Sequence, residues 1–209
     1  GGSDSYAMAI NSSGQIAGMA STSNGQGHAV IYSNGQVQDV SPAGTSWSSA
    51  YGINSSGSVA GYAMNSTGGF NAFVYSAATG STILTSLGGS SYAFAINNGG
   101  QVAGASISST GYSHAVVWSG SGVTDLGTLG GGASFAYGIN DSGSVVGYSM
   151  LAGNNSNHAF VYIGGAMFDL NLLVSNLGGW QLTNAYAINE SGQIVGTGTL
   201  NGVEHAFVL

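Results

Sequence analysis

Large and small side chains alternate along Tyr92-Ala93-Phe94-Ala95-Ile96, the period of two that an extended chain imposes. The same alternation recurs with large residues at Met8 and Ile10, Tyr51 and Ile53, Tyr137 and Ile139, and Tyr186 and Ile188. Interleaved with them are Ala7 and Ala9, Ala50 and Gly52, Ala136 and Gly138, and Ala185 and Ala187. The pattern predicts a strand with one bulky face and one Ala/Gly face, against which a neighbouring backbone can approach closely. Each such strand runs into a polar Asn-x-x-Gly segment, as in Asn11-Ser12-Ser13-Gly14 and Asn140-Asp141-Ser142-Gly143. Asn opens a type I turn through its side-chain carbonyl and Gly takes the left-handed position that ends it. A short apolar strand follows, such as Gln15-Ile16-Ala17-Gly18 or Ser144-Val145-Val146-Gly147. A third strand comes after a polar loop, as at His158-Ala159-Phe160-Val161-Tyr162. A weaker fourth strand closes the unit, as in Val37-Gln38-Asp39-Val40 and Val123-Thr124-Asp125-Leu126. Gly-rich loops such as Leu129-Gly130-Gly131-Gly132 are read as links to the next unit.

The unit is a tandem repeat. Ala-Ile-Asn or Gly-Ile-Asn ends at Asn11, Asn54, Asn97 and Asn140 at intervals of 43 residues, and again at Asn189 after 49. A second anchor keeps step with it: His28-Ala29-Val30, Asn71-Ala72-Phe73, His114-Ala115-Val116, His158-Ala159-Phe160 and His205-Ala206-Phe207. The copies fall at about 6–48, 49–91, 92–134, 135–183 and 184–209 of a single repeat domain. Four antiparallel strands in about 43 residues is the size of a propeller blade. The predicted fold is therefore an all-β propeller of about five four-stranded antiparallel blades, with an open stack of small β-sheets as the alternative. The Ala/Gly face is assigned to the crowded strand near the axis. The last copy reaches Leu209 after its third strand, so the ring would close with an incomplete outer edge or be completed by a neighbouring molecule.

Composition narrows the partners. There is no Lys or Arg, and the formal charge is −7. Without cations there is no electrostatic footprint for nucleic acid, no basic patch for anionic lipid, and no charged clamp for phosphate-rich cofactors. Cysteine is absent, so neither a disulfide nor a thiolate site can form. No apolar run reaches the roughly 18 residues of a membrane-spanning helix, and membrane insertion is not expected. Abundant Gly and Ser with no basic residue suits an extracellular or cell-surface product.

The string Asp125-Leu126-Gly127-Thr128-Leu129-Gly130-Gly131, then Ala136-Tyr137-Gly138-Ile139-Asn140-Asp141-Ser142-Gly143, Val145-Val146-Gly147 and His158-Ala159-Phe160 resembles the HAF-type bacterial extracellular repeat. The last copy is similar to that family's usual final repeat in Asp169-Leu170-Asn171-Leu172-Leu173, Trp180-Gln181-Leu182, Ala187-Ile188-Asn189 and Gly192-Gln193-Ile194-Val195-Gly196. The resemblance covers nearly the whole chain and implies secretion or surface display by a bacterium. It carries over no catalytic activity. The first three copies depart from the pattern, notably with Asn71 in place of His.

Candidate chemistry is sparse. A metal site needs several converging ligands, whereas the four histidines sit one to a repeat. Each imidazole is expected to bond a loop at the head of its strand, and Asn71 to do likewise. No Ser lies in a Gly-x-Ser-x-Gly elbow, and Gly120-Ser121-Gly122 reads as a hairpin. Glu190 and Glu204 share the final copy, in segments read as loops, and make a poor glycosidase pair. Asp141 and Glu190 follow equivalent asparagines, with Asn98 aligned to them; oxygen-seeking calcium is the alternative there to a solvated turn. Among Asn-x-Ser/Thr sequons, Asn65 and Asn154 lie in variable loops and are the better glycosylation candidates. Trp47, Trp118 and Trp180 occupy different repeat positions, so equivalent sugar-stacking sites are not written in the chain.

No catalytic, cofactor-binding or metal-binding residues are therefore assigned, and no cofactor is expected. The sequence points to a non-catalytic extracellular structural or surface protein that associates with itself or with extracellular matrix. The alternative is a carbohydrate-binding propeller in adhesion, with neutral glycans as partners.

Overall fold

The computed structural model describes residues 1–153 and 156–209. The chain folds as five antiparallel sheets in sequence order. The first holds β1 (Ser5–Ile10), β2 (Ile16–Ser21), β3 (Gly27–Ser33) and β4 (Gln36–Asp39). The second holds β5 (Ser48–Ile53), β6 (Val59–Met64), β7 (Phe70–Ser76) and β8 (Gly80–Ile83). The third holds β9 (Ser91–Ile96), β10 (Val102–Ile107), β11 (Ser113–Ser119) and β12 (Gly122–Asp125). The fourth holds β13 (Gly130–Ile139), β14 (Val145–Leu151), β15 (Asn157–Ile163) and β16 (Ala166–Asp169). The fifth has three strands, β17 (Trp180–Ile188), β18 (Ile194–Leu200) and β19 (Val203–Val208). Each sheet is an up-and-down meander, so sequence neighbours are spatial neighbours. Between β16 and β17 a four-residue helix, α1 (Leu170–Leu173), is capped by Asp169, whose carboxylate accepts the Asn171 amide. The sequence pattern did not show this turn of helix.

Apolar side chains are buried between consecutive sheets rather than within one central core. Ala17, Ala29, Ile31 and Val40 of the first sheet meet Ala50, Val59 and Phe73 of the second. The same set recurs at the fourth junction, where Val146, Ala159, Val161 and Leu170 meet Leu182, Ala185, Ile194 and Phe207. Every junction thus sets a small and aliphatic outgoing face against a larger incoming one. From the second sheet to the fifth the first strand carries a fully buried alanine, as its composition predicted, whereas β1 is largely exposed.

The Ala/Gly stripe needs one correction. It does not form a single face. A β-bulge interrupts the register between Ala50 and Gly52, and in the other four sheets at the corresponding place. The extra residue turns the two small side chains to opposite sides of the sheet. Ala50 packs backward on the first sheet, while a Cβ at Gly52 would lie 3.0 Å from the Cα of Ala95 in the third. Both neighbours therefore approach the same strand. A second difference concerns Gly130, Gly131 and Gly132, read as a loop, which begin β13, with an irregular register before Ser134.

The sheets pack in succession, first on second through to fourth on fifth, and among the described residues there is no comparable packing of the fifth on the first. They turn about one axis, because the turns of all five repeats line a single cavity. The ring is left open between its two ends.

Candidate functional site

The turns at the axis form the most regular polar structure in the molecule. Within each, the Asn side chain folds back on its own turn: Asn11 Oδ1 accepts the amides of Ser13 and Gln15 at 3.1 and 3.0 Å. That much the turn chemistry predicted. The other half of the carboxamide does something the sequence did not reveal. Asn11 Nδ2 donates to the carbonyl of Asn54 at 3.0 Å, Asn54 to Asn97 at 3.0 Å, Asn97 to Asn140 at 3.0 Å, and Asn140 to Asn189 at 3.2 Å. A ladder of asparagines ties each sheet to the next. The residue after each Asn adds a second rail. The Ser55 amide donates to Asn98 Oδ1, the Asn98 amide to Asp141 Oδ1, and the Asp141 amide to the Glu190 carboxylate. Asp141 also accepts from the Asn98 carboxamide at 2.7 Å, and these two bonds hold its carboxyl below the usual range. Asp141 and Glu190, weighed above as calcium ligands, thus each accept amide hydrogens at different junctions. Among the described residues no group of three or more His, Asp or Glu is placed to hold a metal ion.

The cavity these turns surround has a volume of about 250 Å³ and an isoleucine at each of its middle three repeats, Ile53, Ile96 and Ile139. Further along the inner strands sits an aromatic set at the bulge position. Tyr51, Phe94, Tyr137 and Tyr186 follow one another at ring-centroid spacings of 6.0, 5.4 and 5.9 Å. Tyr62 stacks on Tyr51 at 4.9 Å, and their hydroxyls are 2.8 Å apart. Burial raises the pKa of Tyr62 and Tyr148, and pushes Tyr137 up to about 12. Met8 takes this position in the first repeat and is exposed, as is Tyr186 in the last.

Three histidines are explained by a partner the sequence reading missed. His28 Nδ1 donates to Asp39 Oδ2 at 2.6 Å, His114 to Asp125 at 2.8 Å, and His158 to Asp169 at 2.6 Å. A carboxylate can only accept, so the imidazole carries its proton on Nδ1. The expected bond to a loop is corrected to a bond across to the fourth strand. The signal was present in the chain: each Asp lies 11 residues after its His. In the second sheet both partners change together. Asn71 replaces His and Ile83 stands opposite Phe73, where Asp39 stands opposite Val30. Asn71 Oδ1 instead accepts from Asn65 at 3.2 Å. His205 lies exposed on β19 against the Trp180 ring, 5.8 Å between centroids.

The remaining candidates separate. Gly120-Ser121-Gly122 lies at the β11–β12 hairpin, as expected. Glu190 lies in a turn, but Glu204 is in strand β19 rather than a loop, pairing opposite Thr199. The Asn65 carboxamide, proposed as a glycan acceptor, is committed to Thr67, Gly69 and Asn71. Asn154 lies outside the described residues. Trp47 packs on Tyr62 and Phe70, whereas Trp118 is buried and donates to the Thr85 carbonyl at 2.7 Å.

No protein-family profile and no curated protein matches the chain. Among solved structures it is similar to the β-propeller domain of the Trilobed protease from Pyrococcus furiosus, described as having an open velcro topology. That match has a TM-score of 0.46 and 9% identity, and covers 98% of this chain and 82% of the other. It is also similar to a mutant of AofleA from Arthrobotrys oligospora, with a TM-score of 0.50 and 13% identity over 98% of this chain and 68% of that one. At 13% identity the second match speaks to fold alone, a propeller-like architecture.

Proposed function

We propose that this protein is a non-catalytic extracellular structural or cell-surface protein that associates with itself into filaments or matrix. The observation that carries the reading is that the two ends of the arc expose complementary halves of the junction used four times inside the molecule. On the fifth sheet, Val195, Ala206 and Val208 stand where Ala17, Ala29 and Ile31 pack on the second sheet. On the first sheet, Ala7 and Ile10 stand where Ala50 and Ile53 pack, and Ile10 is 67% exposed against 68% for Val208. Polar contacts match as well. Inside, Ser48 Oγ accepts the Ala29 amide, Ser91 the Ala72 amide and Ser134 the Ala115 amide. Ser5 and Ala206 are the end members of that series. Exposed apolar sheet faces of this kind favour association.

The resemblance to HAF-type repeats supports a bacterial extracellular setting, and the scarcity of converging acids, bases and nucleophiles supports a non-catalytic role. Sedimentation velocity and electron microscopy of the purified chain test the reading. Concentration-dependent assembly that Ile10→Asp and Val208→Asp each abolish is expected; a monomer at high concentration overturns it.

A second reading is a carbohydrate-binding propeller, favoured by the half-exposed inner series Tyr51, Phe94, Tyr137 and Tyr186. Aromatic faces and neutral hydroxyls suit uncharged sugars. A glycan array with no binder rejects it.

A further inference from the structure

From the second sheet we propose that Tyr51 and Tyr62 form an oxidative cross-linking site. A diffusible one-electron oxidant, of the kind a peroxidase generates from hydrogen peroxide, joins their rings as a dityrosine. The link lies within one chain, so it goes beyond assembly through the sheet faces and stands whether or not the protein polymerises.

Composition leaves few ways to staple this chain covalently. It has no Cys for a disulfide and no Lys for an amide or imine link, but 11 Tyr. Phenols couple through the ring carbons beside the hydroxyl, so two tyrosines are poised only where those edges meet. Tyr51 and Tyr62 lie on the paired strands β5 and β6, with ring planes 10° apart, centroids at 4.9 Å and hydroxyls at 2.8 Å. The hydroxyl contact draws the Cε edges together, and both rings are half-buried rather than sealed from a small oxidant. Phe70 and Tyr92 stand edge-on to Tyr62 at 5.5 and 5.1 Å and hold its plane. Groups positioned in this way react without a prior encounter.

The fourth sheet shows why the pair is selective. Tyr137 and Tyr148 hold the same two positions there, yet their centroids are 5.9 Å apart with planes at 40°. The residue opposite the second tyrosine makes the difference. Phe135 pairs with Tyr148 and stacks on it at 5.2 Å, drawing that ring away. Ser49 pairs with Tyr62 and has no ring to offer, its Oγ buried without a hydrogen-bond partner. Tyr62 therefore lies on Tyr51, and among the described residues theirs is the one contact between tyrosine hydroxyls. In the coupling each phenol gives up one electron and its hydroxyl proton. A Cε of each ring then joins in a new C–C bond, and the hydrogen on each of those carbons moves to oxygen as the rings regain aromaticity. Two electrons and two protons leave, enough to turn one hydrogen peroxide into two waters.

The test exposes the dilute 209-residue chain to photo-excited tris(bipyridyl)ruthenium with persulfate, a small one-electron oxidant. Dityrosine fluorescence should appear with a mass lower by two hydrogens, and a peptic digest should place the link between Tyr51 and Tyr62. Tyr51→Phe and Tyr62→Phe should each abolish that product, whereas Tyr148→Phe leaves its yield unchanged. Unfolding in urea before irradiation should also remove it, because strand pairing and not closeness in sequence brings the rings together. A link that maps mainly to another pair, a covalent dimer as the main product, or a yield indifferent to both substitutions overturns the inference. So does an equal yield of the same link in urea. Circular dichroism of the two Phe variants confirms that the fold is retained.

Discussion

Gly104→Ala places one methyl group where the fold leaves no room for it. Gly18, Gly61, Gly104, Gly147 and Gly196 hold the same place in the second strand of every sheet, directly across the bulge. A Cβ at Gly104 would lie 1.9 Å from the Tyr92 carbonyl oxygen and 3.0 Å from the Ala93 Cα. Nonbonded heavy atoms settle near ~3.5 Å, so β9 and β10 must part by more than an ångström. Both obstacles are backbone and cannot swing aside. Parting breaks about two ladder bonds at ~1 kcal/mol each, and strain adds ~1–3 kcal/mol. A loss of about 3 kcal/mol or more lowers Tm by roughly 6–12 °C for a chain of this size. Gly122→Ala is the control in the same sheet, since the added Cβ meets only the Ser119 carbonyl oxygen at 3.6 Å. Its Tm should stay within about 2 °C, a shift of no more than about 1 kcal/mol. Differential scanning calorimetry reads both. A Gly104→Ala protein that melts with the parent would show that the bulge does not force this glycine.

Asn97→Ala removes a buried carboxamide that bonds both its own turn and Asn140, and should cost about 2–3 kcal/mol in urea unfolding, against about 1 kcal/mol for the exposed Asn189. Equal losses would deny the ladder a role. His158→Ala leaves Asp169 Oδ2 without its donor on a carboxylate only 8% exposed, and should cost about 1.5–3 kcal/mol, more than His114→Ala, whose Asp125 is 38% exposed. Partial burial works to raise the pKa of Asp39, but bonds from His28 and Ser41 outweigh it, and Asp141 is lowered by Asn98. Carboxyls held below their ordinary 3.8 stabilise the fold above that pH and cease to do so as pH falls through the lower folded values. Tm should therefore fall on acidification below about pH 4. At the alkaline end the sign reverses: Tyr137, raised from 10.0 to about 12, favours the fold below pH 10 and loses that contribution as pH rises towards 12. The share of phenolate absorbance that belongs to Tyr62, Tyr137 and Tyr148 should develop together with unfolding, and its appearance near pH 10 in the folded protein would contradict their burial.

The repeat, its strands and its turns could all be read from the chain, because alternation, Asn-x-x-Gly and Ala/Gly restriction are local consequences of backbone geometry. The crowding of the first strand could be read too, since only Ala and Gly occupy its narrow positions. The direction each small residue faces could not be read. Alternation places Ala50 and Gly52 together, and a bulge that depends on pairing with Gly61 sends them to different neighbours. The His–Asp pairs lay in plain view as a spacing of 11, but a spacing acquires meaning only when a hairpin brings its ends side by side. Tertiary structure alone decided the rest. Whether Asn11 donates to Asn54, and whether the fifth sheet returns to the first, depend on the rotation between sheets. That rotation sums small packing differences over four junctions, and no local pattern of side chains records the total.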